Sequence, residues 1–519
     1  MAKGKKEKRI ALTDFKTWNL NHPSLIPNDH WADAQNMVRG SDGLWENRKG
    51  ITSFDNAVGS GKKVHSIHFW QPADASSRFL TVGSGTALYS YAEGTSYNDG
   101  TFTSRQTGFT DAAKFSFAQY NDSLLATNGE EAMYDTPDNT VWTIRNGANT
   151  RIAKHIHFAN DIGYCTDVAG ARSVVYYSGA VPANAYEFPN SVEIEADNGQ
   201  INTGLTNLGP IIVVPKTRSM YSLDVATPAR DQLDYSEGTV SNRSIVRAEN
   251  SIYLATKEGV FTLAQRQGTT GSLAATPISD EISELWAQLI NHEDISGHYF
   301  PKQRSIVYSV ETADKKYTLV YNIRHQSWSY IIGANALDWS QYTDDTGLEH
   351  LIYADAYVDR IRELFTDDRS DDGADIISVL QTGSLNFGTD DLKTCKWLEL
   401  SGYASPLFEL TVELFYDESE IAAKTFTIDK DNFTAGSSGI GSGSLASGAL
   451  ASGALAGSVT SGSDLDVDYW VKRTPLEKTF RTVTVKITNA QAGVRWRFKS
   501  ATFNIYVEAN DLTPNYIFN

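Results

Sequence analysis

The stretch HYFPKQRSIVYSVETADKKYTLVYNIRHQSWSY, residues 298–330, decides the fold class of this chain. Apolar side chains occupy alternate positions from Ile306 to Val310 and again from Tyr317 to Tyr321, with a polar turn between the two runs. This alternation of β-branched and aromatic residues is typical of antiparallel strands that bury one face. One small sheet cannot bury its own apolar face, so we expect the unit to recur along the chain.

The unit does recur, with copies 39 and 90 residues apart, the second step being about twice 45, so the period is roughly 40 to 50 residues. A polar turn followed by an apolar strand occurs at residues 121–127 (NDSLLAT), 160–166 (NDIGYCT) and 250–256 (NSIYLAT). Repeats of this length that contain only strands are typical of propeller blades. We therefore predict an all-β fold with a β-propeller of about six or seven blades. The alternative is a large β-sandwich with accidental spacing.

Three domains are predicted from changes in residue composition and in strand periodicity along the chain. Residues 1–60 are an irregular packing segment, and residues 61–375 are the β-propeller, which ends in the acidic stretch 367–375. Residues 376–519 are a β-sandwich domain containing the Gly/Ser/Ala/Leu-rich loop 436–464. One helix is expected as an insertion between blades, where Ser279 would cap a run of apolar residues with helical spacing: Ile282, Leu285, Trp286 and Leu289.

The irregular segment 12–54 is rich in large apolar side chains and must pack on something. We expect Trp18, Trp31 and Trp45 to be buried against the propeller or a neighbouring subunit, as candidate assembly anchors. The basic residues of 1–9 form either a solvated tail or an arm that orders on an acidic neighbouring surface.

This segment resembles the opening of tail nozzle proteins (tubular protein B-like) of short-tailed bacteriophages. Those openings have an N-x-x-P-S-x-x-P segment, then Gln-Asn, then Gly-Leu-x-x-Arg-x-Gly. The matching residues are Asn21, Pro23, Ser24, Pro27, Gln35, Asn36, Gly43, Leu44, Arg48 and Gly50. Residues 328–329 (WS) and 383–388 (GSLNFG) are similar to that family as well.

The resemblance implies a structural virion protein that is not an enzyme and needs no cofactor. Identical subunits, six by the resemblance, would form a ring at the end of the tail tube, through which genomic DNA passes without specific binding. Further partners would be other tail proteins, such as an adaptor and fibres or a spike. The protein would be made in the host cytoplasm and reside in the virion tail. The alternatives are a glycan-binding or glycoside-cleaving propeller and a head-proximal tail adaptor.

The net charge of −18 argues against a protein that grips nucleic acid through its phosphates. It fits a surface past which DNA slides. No apolar run approaches the length of a membrane span. Cys165 and Cys395 lie far apart in the sequence and have no second ligand at metal spacing, so we expect buried thiols.

The loop 436–464 contains three S-G-x-L-A pentads, with Leu445, Leu450 and Leu455 five residues apart. Glycine and serine are typical of a flexible loop. A solvated linker needs no leucines, however, and the alternative is an ordered packing or gating loop. We name the three leucines as the candidate channel gate.

Two loops resemble ligand-binding motifs without completing them. Residues 58–63 (VGSGKK) resemble a phosphate loop, but Asn56 stands where a glycine is needed and Lys63 where Ser or Thr is needed. The acidic run 368–373 resembles the start of a calcium loop, but Val379 replaces the bidentate glutamate. We expect a turn at each.

Two histidine pairs and the many carboxylates offer weaker candidates for chemistry. His65 with His68, and His155 with His157, could each supply two metal ligands, but no third ligand is evident nearby. Carboxylate pairs of a glycosidase cannot be recognised from spacing, and no G-x-S-x-G elbow is present. The sequence predicts no catalytic and no metal-binding residue.

Overall fold

The chain is represented by a computed structural model that describes residues 7–22, 25–72, 77–179, 186–224, 229–233, 237–265, 273–405, 407–429 and 468–507. It divides into two compact units. The sandwich unit comprises Met1–Gly50, Ser327–Ser329 and Asp367–Asn519, and the propeller unit comprises Ile51–Gln326 and Tyr330–Thr366. The boundaries thus fall at Gly50 and Thr366, and the N-terminal segment belongs mostly with the C-terminal strands.

The described residues are mostly strands. In chain order these are β1 Glu7–Leu12, β2 Trp31–Gln35, β3 Met37–Arg39, β4 Trp45–Asn47, β5 Gly50–Ser53, β6 Val64–Trp70, β7 Phe79–Ser84, β8 Ala87–Ala92, β9 Thr101–Thr107, β10 Ser116–Tyr120, β11 Ser123–Thr127, β12 Met133–Thr136, β13 Thr143–Arg145, β14 Ala153–Ala159, β15 Ile162–Val168, β16 Ala171–Tyr177, β17 Asn190–Glu193, β18 Thr206–Leu208, β19 Ile211–Pro215, β20 Met220–Asp224, β21 Ala229–Gln232, β22 Val246–Ala248, β23 Ser251–Ala255, β24 Val260–Gln265, β25 Leu273–Pro277, β26 Leu289–Ile290, β27 Ser296–Phe300, β28 Ser305–Thr312, β29 Lys316–Asn322, β30 Ser327–Ile331, β31 Ala336–Thr343, β32 Glu349–Asp355, β33 Ile361–Thr366, β34 Ser378–Thr382, β35 Lys393–Ala404, β36 Glu409–Tyr416, β37 Lys424–Asp429, β38 Asp468–Phe480, β39 Val483–Asn489 and β40 Trp496–Val507. Short 3-10 turns lie at Ala196–Asn198, Asn242–Ser244, Asp280–Ile282, His292–Asp294 and Pro301–Gln303, and the helix α1 spans Ser283–Trp286.

Seven antiparallel sheets built from the described residues are the blades of a β-propeller. They are β6–β9, β10–β13, β14–β17, β18–β21, β22–β25, β27–β30, and β31–β33 with β5. The short strand β26 also pairs with β28. First strands of different blades contact one another, as β31 does β6 and β10 does β14, so these strands surround the propeller axis. The predicted all-β propeller fold is confirmed.

The N-terminal part of the chain closes the propeller. Strand β5 is the outer strand of the seventh blade, beside β33. Directly after β5, the Phe54 amide donates to the carbonyl of Ile361 over 3.0 Å. Phe54 itself is fully buried in an apolar cluster with Val64 and Ile67 of the first blade and Ile352 of the seventh. The first and last blades are therefore joined both by backbone pairing and by a shared core.

The loop that resembles a phosphate loop lies at this seam and holds a carboxylate of the chain itself. The side chain of Asp359 accepts hydrogen bonds from the amides of Gly59 (3.1 Å) and Gly61 (2.9 Å) and from the Ser60 hydroxyl (3.1 Å). Gly59 and Gly61 have φ of 89° and 66°, which lets their amides point to one anion. The turn expected here is therefore an anion-holding turn, and its anion comes from the seventh blade.

Polar side chains also join the first and seventh blades through a second group of contacts. Tyr97 and His350 stack with ring centroids 3.9 Å apart, and the Tyr97 hydroxyl donates to Glu363. His350 contacts Glu363 through Nδ1 (2.8 Å) and Asp344 through Nε2 (3.2 Å). Burial alone would lower the pKa of His350, but hydrogen bonds and charges of these two carboxylates raise it above its ordinary value.

The sandwich unit has two antiparallel sheets. One orders β3–β4–β40–β35–β38, with β1 also on β40, and the other contains β2–β34–β39–β36–β37. Aromatic pairs join the sheets: Tyr416 of β36 lies 5.1 Å from Phe480 of β38, and Trp31 of β2 lies 5.2 Å from Phe498 of β40. The C-terminal sandwich is therefore completed by strands from the N-terminal segment.

The predicted helix is much shorter than expected. A 3-10 turn at Asp280–Ile282 and one α-helical turn replace it, and Leu289 belongs to β26. The reason is local: the Ser279 hydroxyl caps no helix but accepts a hydrogen bond from the Val260 amide over 2.8 Å. Cys165 and Cys395 are buried free thiols, as predicted. Among the described residues no helix is both long and apolar enough to cross a membrane.

The anion-holding turn gives a test of the closure. Replacing Asp359 by Asn leaves the amides of Gly59 and Gly61 facing a neutral group, because the charge-assisted hydrogen bonds are lost. We expect the free energy of unfolding of the propeller to fall by about 1–2 kcal/mol in urea titrations. Asp314→Asn, in the exposed turn between β28 and β29, is the matched control and should change little. Equal effects of both variants would show that the seam does not depend on this carboxylate.

Candidate functional site

Side chains from neighbouring blades cap the free inner edges of the first strands. The Ser66 hydroxyl of β6 accepts the Phe115 amide over 2.9 Å, and the Ser116 hydroxyl of β10 accepts the Ile156 amide over 3.2 Å. At the seam, Asp338 of β31 accepts the Ile67 amide over 3.0 Å. An uncapped strand edge leaves backbone donors unpaired. These bonds therefore join the blades around the axis.

Arg243 occupies the centre of this ring of contacts. It lies in the 3-10 turn before β22, and its guanidinium donates to the carbonyls of His65 (2.6 Å), Leu337 (3.3 Å) and Phe115 (3.3 Å) and to the Ser66 hydroxyl (2.8 Å). One cation from the fifth blade therefore reaches the first, second and seventh blades. A planar guanidinium with five donors suits such a hub, whereas an ammonium would not reach four acceptors.

A cavity of about 390 Å³ lies beside Arg243, where several inner strands begin. Its charged lining includes Lys114, Lys154, Asp167 and Glu130. The carboxylate of Asp167 already forms an ion pair with Arg172, which lies outside the cavity. His155 also lines the cavity; it is buried and forms no hydrogen bond to another described residue. The cavity thus combines charged side chains with one imidazole that forms no hydrogen bond to another described residue.

The histidines singled out in the sequence all lie on inner strands, as does His298 of β27. Burial lowers the pKa of His65 to about 4 and that of His155 to about 3. Burial, with the nearby charge of His298, lowers the pKa of His68 to about 4, and burial does the same for His298. These imidazoles are therefore neutral at pH 7. The described residues contain no group of three or more His, Cys, Asp or Glu side chains that could hold a metal ion.

His157 takes part in a different contact. Its Nε2 lies 3.0 Å from the Asn207 side-chain oxygen, which also accepts from Arg247 over 2.7 Å. Burial lowers the pKa of His157 more than the hydrogen bond to Asn207 raises it. The pair His155 and His157 therefore splits between the cavity and an interblade polar contact.

Three of the ten residues that carry the phage resemblance, Asn36, Arg48 and Gly50, lie close together in the sandwich unit, and Arg48 is fully buried. Its Nε donates to the Asn36 side-chain oxygen over 3.0 Å, and its two terminal nitrogens bind both oxygens of Asp371 over 2.7 and 2.5 Å. Asn36 adopts φ of 53°, accepts the Arg48 amide through its carbonyl and donates to the carbonyl of Ile377. We call Asn36, Arg48, Gly50 and Asp371 the Arg48 hub.

Gly50 completes the hub because no larger residue fits. Its amide donates to the carbonyl of Asp368 over 2.6 Å, and a Cβ at this position would collide with the backbone oxygens of Asp368 and Ser370. The acidic run that resembles a calcium loop therefore has a structural partner: Asp371 neutralises Arg48, and Arg369 donates to the carbonyl of Asn47 over 2.6 Å.

The three tryptophans named as candidate assembly anchors, Trp18, Trp31 and Trp45, are buried, and all three lie in the sandwich unit. Trp31 stacks on Phe15 at 3.9 Å, and the Trp45 indole N–H donates to the Phe15 carbonyl over 2.8 Å. Their role in assembly stays a prediction. The candidate gate residues Leu445, Leu450 and Leu455 lie outside the described residues.

Sequence reasoning missed Arg243 and Asp359, whose side chains bind blades that are far apart in the sequence. Neither lies in a recognisable motif. Ser66 and Ser116 did carry a signal, since each is a small hydroxyl residue at an inner-strand position among apolar and aromatic neighbours. That pattern predicts a capped strand edge only when the neighbouring blade is known.

The neutral histidines predict acid sensitivity. In the unfolded chain they protonate near pH 6.5, whereas in the folded chain His65, His68 and His298 do so near pH 4. The free energy of unfolding should therefore be level above pH 6.5 and fall below it, by up to about 1.4 kcal/mol per pH unit for each histidine.

Urea titrations between pH 7 and 4.5 measure this slope. The double variant His68→Gln/His298→Gln should show a shallower fall than the wild type. His22→Gln, in the sandwich unit, is the control and should leave the slope unchanged. An unaltered slope in the double variant would mean that these imidazoles are protonated in the folded protein.

No family model matches this sequence, and no curated protein matches it. Several solved propellers are similar to it in structure. The β-propeller domain of Cps50 (Swd1) from Myceliophteria thermophila has a TM-score of 0.41 at 9% identity, over 61% of this chain and 99% of its own. YCF48 from Cyanidioschyzon merolae has a TM-score of 0.41 at 10% identity, over 61% and 98%. A chain of the mitotic checkpoint complex has a TM-score of 0.40 at 8% identity, over 62% and 94%. These likenesses concern the propeller fold alone.

Proposed function

We propose that the protein is a structural subunit of a bacteriophage tail nozzle, forming with identical copies a ring around the channel through which DNA leaves the virion. The proposal rests on the sequence resemblance of residues 21–50 to nozzle proteins. The observation that carries it is the Arg48 hub, because it gives a physical reason for three of the ten matched residues: Asn36, Arg48 and Gly50. Asn36, Arg48 and Gly50 are fixed by one another and by the acidic run at residues 367–375.

The Arg48 hub supports a structural role for the protein, because replacing any of its residues would destabilise the fold. A buried arginine that loses its carboxylate is left as an unpaired charge, which costs about 3–5 kcal/mol. A side chain at Gly50 would displace the backbone of the acidic run. The matched residues thus serve the framework of the sandwich unit.

The charge of the chain also supports the proposal. The net charge is −18, and Lys+Arg number 45 against 63 Asp+Glu. A ring of such subunits presents a negative field to DNA, so phosphates find no deep minimum on the channel wall. DNA would therefore slide past without specific binding. Contacts to an adaptor and to fibres or a spike belong to the same proposal.

A second candidate function is favoured by the axial cavity. A cavity of about 390 Å³ is lined by His155, which forms no hydrogen bond to another described residue, and its volume suits a sugar-sized molecule, as in a glycan-binding or glycoside-cleaving propeller. We rank it second because the cavity gives no reason for the residues that meet at the Arg48 hub.

The proposed ring of identical subunits is tested by measuring the mass of the assembly that this chain forms. We expect purified protein, or tails from infected cells viewed by electron microscopy, to contain a closed ring of this chain, six copies by the resemblance. Mass photometry and sedimentation velocity report the copy number. A protein that stays monomeric at high concentration, is absent from tails and binds or cleaves glycans would overturn the nozzle function in favour of the second candidate.

The loop 436–464 tests how the channel is held shut. Electrostatic repulsion cannot retain DNA, so the nozzle needs a steric gate, and we expect Leu445, Leu450 and Leu455 to supply it. Shortening the loop to a few Gly and Ser residues should give tails that assemble but leak genome, measured as nuclease-sensitive DNA in purified particles. A matched variant with the three leucines changed to Ser at full length separates apolar contact from loop length. Particles of both variants that retain DNA normally would exclude this loop as the gate.

A further inference from the structure

The outward face of the first sheet in the sandwich unit pairs aromatic rings with cations. On β35 and its neighbours, the guanidinium groups of Arg9 and Arg473 lie 5.7 and 4.4 Å from the ring centre of Trp397. The ammonium of Lys499 lies 5.9 Å from the ring of Tyr403 and 4.8 Å from that of Tyr469. We call these six residues the cation–aromatic face.

Strand alternation places this face toward solvent. Leu398 and Leu400 of β35 and Phe503 of β40 are buried in the core of the sandwich unit. The residues between them in β35, such as Trp397 and Glu399, are half-buried on the opposite side. The rings are therefore held at the surface of the sheet and not in its core, which is the side of an antiparallel sheet that faces water.

The face carries more positive than negative charge. Its three cations surround one carboxylate, Glu399, which accepts from Arg473 (2.6 and 3.0 Å) and more weakly from Arg9 (3.5 Å). Elsewhere on the sheet, Lys396 lies near two further carboxylates, Glu7 and Glu477. Lys499 forms no ion pair with a carboxylate among the described residues. A local surplus of cations is unusual in a chain whose net charge is −18.

The composition and size of the face match those of a protein interface. Trp, Tyr and Arg are the residues that contribute most to binding energy at such interfaces. Strands β1, β40, β35 and β38 lie side by side, and the longer three have 12 or 13 residues. At about 3.3 Å per residue and about 4.8 Å between strands, the three long strands cover about 40 by 14 Å, and the six residues of β1 add about 20 by 5 Å. The total of about 660 Å² approaches the ~800 Å² that each partner contributes to an interface of standard size.

We propose that the cation–aromatic face is the surface through which one copy of this chain docks on the acidic propeller unit of the next. The propeller unit contains 23 Lys and Arg against 36 Asp and Glu, so it supplies the complementary charge. Charges further apart than about 8 Å are screened at physiological ionic strength, which lets a positive face bind although the whole molecules repel. The inference rests on the proposed ring of identical subunits and names the face that builds it.

Nucleic acid is the less favoured occupant. Bases bind proteins by stacking on uncovered aromatic rings. Here Arg473 and Arg9 lie on the ring of Trp397, and Lys499 lies on those of the two tyrosines. What the face presents is charge spread over a flat sheet, which suits a broad acidic protein surface.

The test compares self-association of full-length variants by sedimentation velocity at several salt concentrations. Arg473→Glu/Lys499→Glu should raise the dissociation constant between copies at least about 30-fold with the melting temperature unchanged. Salt should weaken wild-type association as well. Lys486→Glu is the matched control: Lys486 pairs with Glu413 on the other sheet of the unit, as Arg473 pairs with Glu399, and its reversal should leave association unchanged. If the double reversal fails to fold, Arg473→Gln/Lys499→Gln replaces it, with an expected rise of at least about tenfold.

The outcomes separate the face from the ring. If the wild type forms a ring and the double variant forms it equally well, the cation–aromatic face is not the interface, although the proposed ring is kept. The same conclusion follows if Lys486→Glu weakens the ring as much as the double variant does. A wild-type protein that never self-associates overturns both. A labelled DNA duplex that binds the wild type and not the double variant, with no change in mass between them, would make nucleic acid the occupant and overturn the proposal.

Discussion

The closure of the propeller by β5 is the constraint on which the rest of the structure depends. A blade has two apolar faces, and each must be covered by a neighbouring blade, so a chain of blades is stable only when its last member meets its first. Here residues 50–54 are taken from the start of the chain and placed beside β33 in the last blade. Phe54 then enters the core that the first and seventh blades share.

Polar side chains also join the first and seventh blades at this seam. Asp359 fills the anion-holding turn, and Tyr97, His350 and Glu363 form a stacked and hydrogen-bonded group. Directional contacts of this kind fix the register of two blades that are far apart in sequence. At the axis, Arg243 does the same for the inner strands of four blades.

The chain leaves the sandwich unit at Gly50 and enters the propeller unit at Ile51. Gly50 of the Arg48 hub is also the first residue of β5. A buried Arg–Asp pair adds little net stability, but breaking it is costly, and it admits one geometry. The pair and the close packing at Gly50 therefore restrict the backbone at residues 48–50.

The alternation of apolar and polar residues was sufficient to predict strands, because neighbouring residues along the chain determine which face of a strand is buried. The alternation from Ile306 to Val310 lies in β28, and that from Tyr317 to Tyr321 lies in β29, as expected. The helix at Ser279 was wrong because a distant amide, that of Val260, uses the hydroxyl that would have capped it.

The polar contacts of Asp359 and Arg243 were less predictable than the fold, because their partners are also distant in the sequence. Asp359 and the turn at Gly59 lie some 300 residues apart, and no spacing rule joins them. Arg243 donates to carbonyls, which every residue has, so its partners leave no trace in the sequence. The tryptophans were correctly expected to be buried, but hydrophobicity does not identify the surface that buries them.

The most direct test of this account is amide hydrogen exchange at the closing strand. If β5 completes the seventh blade, the Phe54 amide and the β5 amides that face β33 should exchange as slowly as those in the centre of that blade, through unfolding of the whole propeller. Amides in β5 that exchange orders of magnitude faster than those of β32, in an otherwise protected propeller, would contradict it. The ring of blades would then be closed without the N-terminal strand.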